Sequence, residues 1–539
     1  MSVVRSALLS LACAALSAAP LRAQGCDSLV TRTAPDTLSG RRIDSVRVVT
    51  LSPDPLPGPA AIVDHLHVRT QEGTIRRQLL FAAGDTIDTL RVAETMRRLR
   101  GHRYLTDAWL TARGCSPSGG VTLTVTTRDA WSTRPEVKLG ASGKATMGVE
   151  ERNLLGTGRA ANLYVRSNGG SQLGVGAMVS DPWVPYTGLS ATLSTNSYRD
   201  GADWHVDVTS RNLTIFDPWR TEIVLGGSTY HPADDSSGTF GHQWASVLVS
   251  RVVAASPRGV TSVIGGAETE RGRLFAGPGD AIVGPARVMR RFIGADVGLR
   301  RETARYDTLT WMLPGDGLAD LPLGFEWEGV LGLGKELESG RGAAHLDLWG
   351  GRAWMPRRGH LLVADVWSSG FIGDGFWHAG TIRGLLSYYA AAPRGTWQAR
   401  LGAERLFDPD PDVRALATVD PALSLYPRDS RLAELAVSAS LERDVELRKL
   451  SSSWNLDGAL FAAYSARHDP ASPDAEHLQA GVLGFGLRLA PRRAGRATFR
   501  VDVGFPVTHS PGLKGKPYFG VTVMPWLGAD RERDGRRDR

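Results

Sequence analysis

The sequence predicts a mainly β chain: an antiparallel transmembrane β-barrel of about sixteen strands, preceded by one small β-α-α-β-β domain. Three observations carry this. The first residues have the build of a secretory signal peptide. Residues 44–130 mix a helical stripe with strand-like runs. Residues 131–527 alternate apolar and polar side chains, segment after segment, with period two. Composition agrees. The 539 residues include 62 Gly and 15 Trp, with 42% hydrophobic and 22% charged residues, which suits many short strands between turns better than a helical enzyme. The net charge of +7 is scattered. No basic run with interleaved aromatics precedes the extreme C-terminus, which argues against a nucleic-acid partner.

Residues 1–23 carry a basic Arg5, the apolar run "ALLSLACAALSAA" and a small residue, Ala23, where cleavage would fall. Such a segment directs export and is too short to anchor the chain. Cys13 lies inside it, but Ser10 stands where a lipoprotein site needs Leu. After Ala23 there is no uncharged apolar run of about 18 residues, so a membrane-crossing helix is not expected. Residues 24–43 read as a linker. Cys26 and Cys115 remain in the exported chain; in an oxidising compartment they could pair or stay as two thiols.

In residues 44–130, "IDSVRVVTL" alternates as a strand. "GTIRRQLL" reads as a short helix and "FAAGDTID" as the break after it. "TLRVAETMRRLRGHRY" places Leu90, Ala93, Met96 and Leu99 on one helical stripe, with Asp88 as N-cap and Gly101 as the stop. "YLTDAWLTARG" and "GVTLTVTTRDAW" are strands around the turn "CSPSGG". His65 and His67 beside Asp64 form a weak metal pattern. No third ligand sits nearby, so two polar positions on a strand or loop are expected, and no metal.

The barrel segments each have one apolar and one charged face. "DWHVDVTSR" sets Trp204, Val206 and Val208 against Asp203, His205 and Asp207. "RATFRVDVGF" sets Phe499, Val501 and Val503 against Arg500 and Asp502. "TWQARLGAE" sets Trp397, Ala399 and Leu401 against Gln398, Arg400 and Glu404. A soluble sandwich would alternate too. Number, a length of roughly 10 residues each and the export signal favour a closed membrane barrel with a polar lumen. Aromatics near segment ends ("DPWVPYTG", "FDPWR", "SYYAA") suit an interfacial belt. A charged tail, residues 528–539, follows.

Catalytic signals are missing. No Gly-x-Ser-x-Gly elbow stands out, "GASGKAT" fails the Walker spacing, and "GTG" at Gly156 is a turn. The twelve His show no zinc spacing. The chain is expected to be no enzyme and to carry no cofactor.

In this order, the segments resemble the outer-membrane protein-insertion and polypeptide-transport superfamily of BamA, TamA and the two-partner secretion transporters. "TIRRQLLFAAGDTID" and "MRRLRGHRYLTDAWL" are similar to one POTRA (polypeptide-transport-associated) domain. "MGVEERNLLGTGRAANLYV" is similar to that group's first barrel hairpins, "SDPWV" to the Pro-aromatic turn after them, and "GFGLRLAP" and "FRVDVGFPV" to the penultimate strands. Thr381, Ile382, Arg383 and Gly384 resemble its Arg-Gly motif, carried on an extracellular loop folded into the lumen. The acidic partner of that Arg falls on Ala463 here, so Glu404 and then Asp502 are the expected substitutes. Six strand-like segments follow the motif where five are needed. One of Trp397–Leu406, Leu432–Arg443 or Trp454–Ala466 is therefore expected not to be a barrel strand, or the loop to lie elsewhere.

The resemblance implies an outer-membrane location with the POTRA-like domain in the periplasm. It implies outer-membrane lipids, extended client polypeptides and periplasmic accessory proteins as partners. It also implies assistance to insertion or translocation of other polypeptides by strand augmentation. A dedicated secretion transporter and a passive pore are the alternatives. The last strand, "PYFGVTVMPW", is short and carries Pro517 and Pro525, which donate nothing to a ladder. A weak closing seam is expected between Val137 and Leu139 on one side and Phe519, Val521 and Val523 on the other.

Overall fold

The structure, a computed structural model, describes residues 28–31, 38–53, 67–113, 120–139, 144–168, 173–198, 201–230, 239–275, 287–309, 319–373, 376–407, 435–450, 454–468, 478–491, 498–508 and 518–524. The expected signal peptide, Asp64, His65, Cys26, Cys115 and the charged tail lie outside the described residues.

The first elements are β1 (Ser28–Thr31), β2 (Ile43–Leu51), helices α1 (Glu72–Arg76) and α2 (Thr89–Gly101), β3 (Leu105–Arg113) and β4 (Val121–Asp129). The four strands form one sheet in the order β1-β3-β4-β2. From residue 43 the order is strand, helix, helix, strand, strand. The linker expected at 24–43 is corrected: it contains β1, whose Ser28–Thr31 pairs antiparallel with Leu110–Arg113 at the sheet edge. Four residues are too few for alternation to betray a strand in sequence. Asp88 caps α2, its Oδ1 accepting from the Leu90 amide at 2.9 Å. The buried stripe of α2 runs through Val92, Met96 and Leu99, while Leu90 is exposed. By contacts the chain forms two compact units. One takes Leu79–Met96, Ala108–Thr126 and the described residues up to Val49; the other takes Thr50–Gln78, Arg97–Asp107 and everything from Thr127.

The second unit holds the barrel. Its strands are β5 (Thr133–Leu139), β6 (Lys144–Leu154), β7 (Arg159–Asn168), β8 (Leu173–Val184), β9 (Leu189–Tyr198), β10 (Gly201–Ser210), β11 (Trp219–Tyr230), β12 (Thr239–Ser256), β13 (Gly259–Phe275) and β14 (Arg287–Thr303). A short hairpin of β15 (Tyr306–Leu309) and β16 (Ala319–Pro322) interrupts the series. Then come β17 (Gly324–Glu336), β18 (Gly342–Arg357), β19 (His360–Gly373), β20 (Phe376–Ala392), β21 (Gly395–Phe407), β22 (Leu435–Lys449), β23 (Trp454–His468), β24 (Leu478–Pro491), β25 (Thr498–Pro506) and β26 (Tyr518–Met524).

Each strand pairs antiparallel with the next, and β26 returns to β5, so twenty strands among the described residues close one ring. The expectation of about sixteen strands is corrected to twenty. An even number brings both ends of the ring to the same side. All six segments after the Arg-Gly motif are strands, the three doubtful ones included.

Faces follow the pleat. On β14, Arg291, Ile293, Ala295, Val297 and Leu299 are exposed, while Phe292, Asp296 and Arg300 between them are buried. The buried face is the inner one. Its ion pairs span intervening strands, as between Arg220 of β11 and Glu302 of β14, or Glu442 of β22 and Arg500 of β25, which only a concave side permits. Two hairpins repeat one device where the chain reverses between β6 and β7 and between β8 and β9. Glu151 and Asp181 each accept from the amide two residues on, at 2.7 and 2.8 Å. Thr157 and Thr187 each donate to a carbonyl three residues back, at 2.7 and 3.0 Å. Both turns need positive φ, at Leu155 (55°) and Tyr186 (63°).

Candidate functional site

Among the described residues, every strand pair of the ring but one matches seven residue pairs or more. The strands β25 and β26 match seven residue pairs, from Thr498↔Met524 to Gly504↔Tyr518, and β5 and β6 also match seven. Between β26 and β5 the described register holds two pairs, Val521↔Leu139 and Thr522↔Lys138. Of the expected seam residues, Val521 and Leu139 therefore meet directly. Val137 pairs with Met147 of β6, while Phe519 and Val523 pair with Val503 and Phe499 of β25.

Thr381–Gly384 are placed in the middle of β20, paired with β19 on one side and β21 on the other. The lumen loop expected for this motif is corrected to a barrel strand. The segment supplies outward apolar residues, Ile382 and Leu386, and buried inward residues, Ser387 and Tyr389, so it fits the pleat and every backbone group finds a ladder partner. The inward charge needs no loop to reach a carboxylate: Arg383 stands directly opposite Glu404 on the inner face. The Arg383 guanidinium also lies over the Trp367 ring, 5.7 Å from its centroid. Asp502, the second expected partner, is committed elsewhere. It accepts from Arg488 at 2.6 Å and from Arg500. Ala463 is buried on the inner face of β23, with no carboxylate to offer.

Asp502 belongs to a network that single-strand patterns do not show. Arg488 also donates to Glu442 Oε1 at 3.1 Å, and Arg500 to Glu442 Oε2 at 2.9 Å. Two guanidiniums and two carboxylates thus close a four-membered ring on β22, β24 and β25, and each charge is satisfied from both sides. A second network joins Arg300 to Glu328 and Glu222, and Arg220 to Glu302. A third sets His345 Nδ1 against the Glu268 carboxylate at 2.8 Å, with the imidazole stacked 4.5 Å from the Phe371 ring. The inward parity of Glu442, Arg488 and Arg300 is legible in sequence. Their partners are not, because strand order and stagger decide who meets whom.

At the ring end where β5 begins, the β15–β16 hairpin folds against the inner face. Leu309, Leu321 and Leu323 pack with Ala353, Leu361 and Tyr389. Asp320 of that hairpin receives Arg100 in a bidentate pair, Nε at 2.7 Å and Nη2 at 3.1 Å, and accepts from Thr308 Oγ1 at 2.6 Å. Arg97 lies over Tyr306, 4.1 Å from its centroid. Within the same unit the β6–β7 turn seats on residues 69–74. The Gly156 carbonyl accepts from the Gln71 amide (2.9 Å) and Thr74 Oγ1 (3.1 Å), and a Cβ at Gly156 would collide with the Arg69 carbonyl. Trp183 is held between Arg77 and Arg211, at 5.4 and 4.0 Å. His67 has a structural role. Its Nε2 lies 2.9 Å from Asp129, which also accepts the Thr70 amide. Among the described residues no group of three ligands is placed to hold a metal.

The outer face carries a band. On β14 the outward residues run Arg291, Ile293, Ala295, Val297, Leu299, Arg301. Ten positions at about 3.3 Å each, on a strand tilted by about 40°, rise roughly 25 Å, the height of a bilayer's apolar band on a β-barrel. Arg–aromatic pairs mark its edges: Arg251 over Trp219 (5.1 Å), Arg443 over Trp397 (5.4 Å) and Arg405 over Phe407 (4.8 Å).

No family model matches the chain, and no curated protein matches it. Among solved structures it is similar to CdiB from Escherichia coli, at 11% identity over 92% of this chain and 80% of that one, with a TM-score of 0.40. BamA from Haemophilus ducreyi lacking POTRA domains 1–3 matches at 12% identity over 93% and 89%, with a TM-score of 0.32. The FrpB iron transporter from Neisseria meningitidis, in apoprotein form, matches at 9% over 77% and 86%, with a TM-score of 0.37. Likenesses this distant carry no functional argument.

Proposed function

We propose that this chain is an outer-membrane β-barrel of the insertion and polypeptide-transport superfamily. Without catalytic chemistry it helps other polypeptides insert into or cross that membrane. The carrying observation is that the described residues of β26 and β5 match in two pairs, while every other described strand pair of the ring matches in seven or more. Parting there presents unpaired amides and carbonyls on both lips, and an exposed strand edge is a template for an incoming strand. The outward band and its Arg–aromatic girdles support the membrane location. The small sheet ends in two edge strands, β1 and β2, where an extended client or an accessory protein in the periplasm could add.

Depletion followed by profiling of the outer-membrane proteome tests this reading. General insertion predicts a fall in many barrel proteins. A dedicated transporter predicts loss of one secreted partner with barrel proteins at normal levels.

A second reading is a passive pore. The ring of twenty strands, wider than the sixteen expected from the sequence, and the charged inner face favour it. Steady conductance in planar bilayers, with no effect of depletion on other proteins, would select it.

A further inference from the structure

On the outer face, Arg271 of β13 and Arg291 of β14 are directly opposed in the register. Lys335 of β17 stands opposite Ile293, one outward step along the strand from Arg291. Directly opposed like charges in a sheet destabilise it unless something neutral or negative lies between them. The described strand neighbours on this face supply nothing of the kind. They are Gln243 and Ala245 on β12, Thr269 on β13, Ile293 on β14, Leu333 on β17 and, just past β17, Leu337, whose amide donates to the Arg291 carbonyl at 2.7 Å. Glu270 and Phe292, the adjacent residues, point to the other side of the sheet. The Arg271 Nε is buried with no hydrogen-bond acceptor.

The three cations sit at one edge of the apolar band, at the ring end away from the start of β5. Immediately toward the band's centre, Ile293, Val297, Leu333 and Val247 are exposed side by side. An occupant must then be anionic at one end and apolar along the other. Two guanidiniums on adjacent strands suit a tetrahedral phosphate with several acceptor oxygens better than a single carboxylate.

We infer that Arg271, Arg291 and Lys335 form a site for the phosphate of a lipid in the outer leaflet, with its acyl chains along Ile293, Val297 and Leu333. The site rests on the membrane reading of the barrel. It neutralises the opposed arginines only when the lipid is bound, so it makes β13–β14 pairing depend on an anionic surface.

The full chain in detergent is titrated by native mass spectrometry with phosphatidic acid, with phosphatidylcholine and with inorganic phosphate. Phosphatidic acid should bind and phosphatidylcholine should fail to displace it. Arg271→Gln/Arg291→Gln should weaken phosphatidic acid about thirtyfold, taking roughly a factor of five per cation near an anionic surface. Lys335→Gln alone should weaken it less. Unchanged binding in the double variant overturns the site, and so does equal competition by inorganic phosphate, which would make it a free-anion site. Heat-modifiable gel mobility reports folding; if the double variant fails that control, Arg291→Gln and Lys335→Gln singly carry the test. Flotation with phosphatidylcholine vesicles separates the two readings. A chain that floats but ignores phosphatidic acid loses the site alone, and one that never floats loses the membrane reading.

Discussion

Locking the seam with a disulfide is the most direct trial of the proposed mechanism. Each residue pair in an antiparallel ladder averages about one hydrogen bond, worth about 1 kcal/mol net. The two described pairs between β26 and β5 thus hold about 2 kcal/mol, and the seven between β25 and β26 about 7 kcal/mol. On the described pairs alone, parting at the seam costs about 5 kcal/mol less than parting β25 from β26, more than a thousandfold in population. Leu139→Cys with Val521→Cys places two thiols on directly opposed residues. Their Cα atoms stand about 4.5–5.5 Å apart, inside the span a disulfide accepts. The background is Cys26→Ser/Cys115→Ser, so that no other exported thiol competes. The assay is insertion of a labelled client barrel in proteoliposomes, before and after oxidation, with heat-modifiable mobility as the folding control. Oxidation should stop insertion and a reductant should restore it. Val503→Cys with Phe519→Cys, one junction away, should leave insertion unchanged. Full activity in the oxidised seam variant would refute the idea that this contact opens.

Four further outcomes follow from the contacts. Asp320→Asn removes the buried carboxylate charge facing Arg100 and should lower stability by about 3–5 kcal/mol in urea unfolding, whereas Arg100→Met/Asp320→Leu should come closer to wild type. Glu442→Gln removes the carboxylate shared by Arg488 and Arg500 and should cost about 3 kcal/mol by the same measurement. Trp183→Ala removes the platform between Arg77 and Arg211 and should cost about 3 kcal/mol. Tyr104→Phe takes the acceptor from Gln78 Nε2, now at 2.9 Å, and should cost about 1–3 kcal/mol at neutral pH. Burial pushes the Tyr104 phenol up from its ordinary value. Its folded form therefore keeps the proton after an unfolded tyrosine, at about pH 10, has released it. That contribution is complete below about pH 10 and is lost as pH rises beyond it, so the gap between wild type and Tyr104→Phe should narrow there.

The barrel was legible because a strand repeats every two residues. Outward residues such as Ile293, Val297, Leu401 and Phe505 are apolar while the inward ones between them are polar, so the alternation shows in the chain. The α2 cap was legible for a similar local reason, since Asp88 serves amides only two and three residues away. The buried stripe keeps Met96 and Leu99 as expected but takes Val92 in place of Leu90, because both are apolar and only packing chooses between them. The Arg-Gly stretch was placed in a loop by its resemblance to the superfamily's motif, while its own alternation, with Ile382 and Leu386 outward and Ser387 inward, fits a strand. Opposite Glu404 on a concave face Arg383 is ordinary.

By itself the sequence determined the alternation, the α2 cap and the inward side of charges such as Asp207, Glu404 and Asp502. All of these depend on neighbours within a few residues. The tertiary structure alone decided that twenty strands close the ring, that Asp502 answers to Arg488 and Arg500 while Glu404 faces Arg383, and that Arg100 reaches Asp320. Those pairings join residues far apart in the chain. They are settled by stagger and curvature, which no local pattern records.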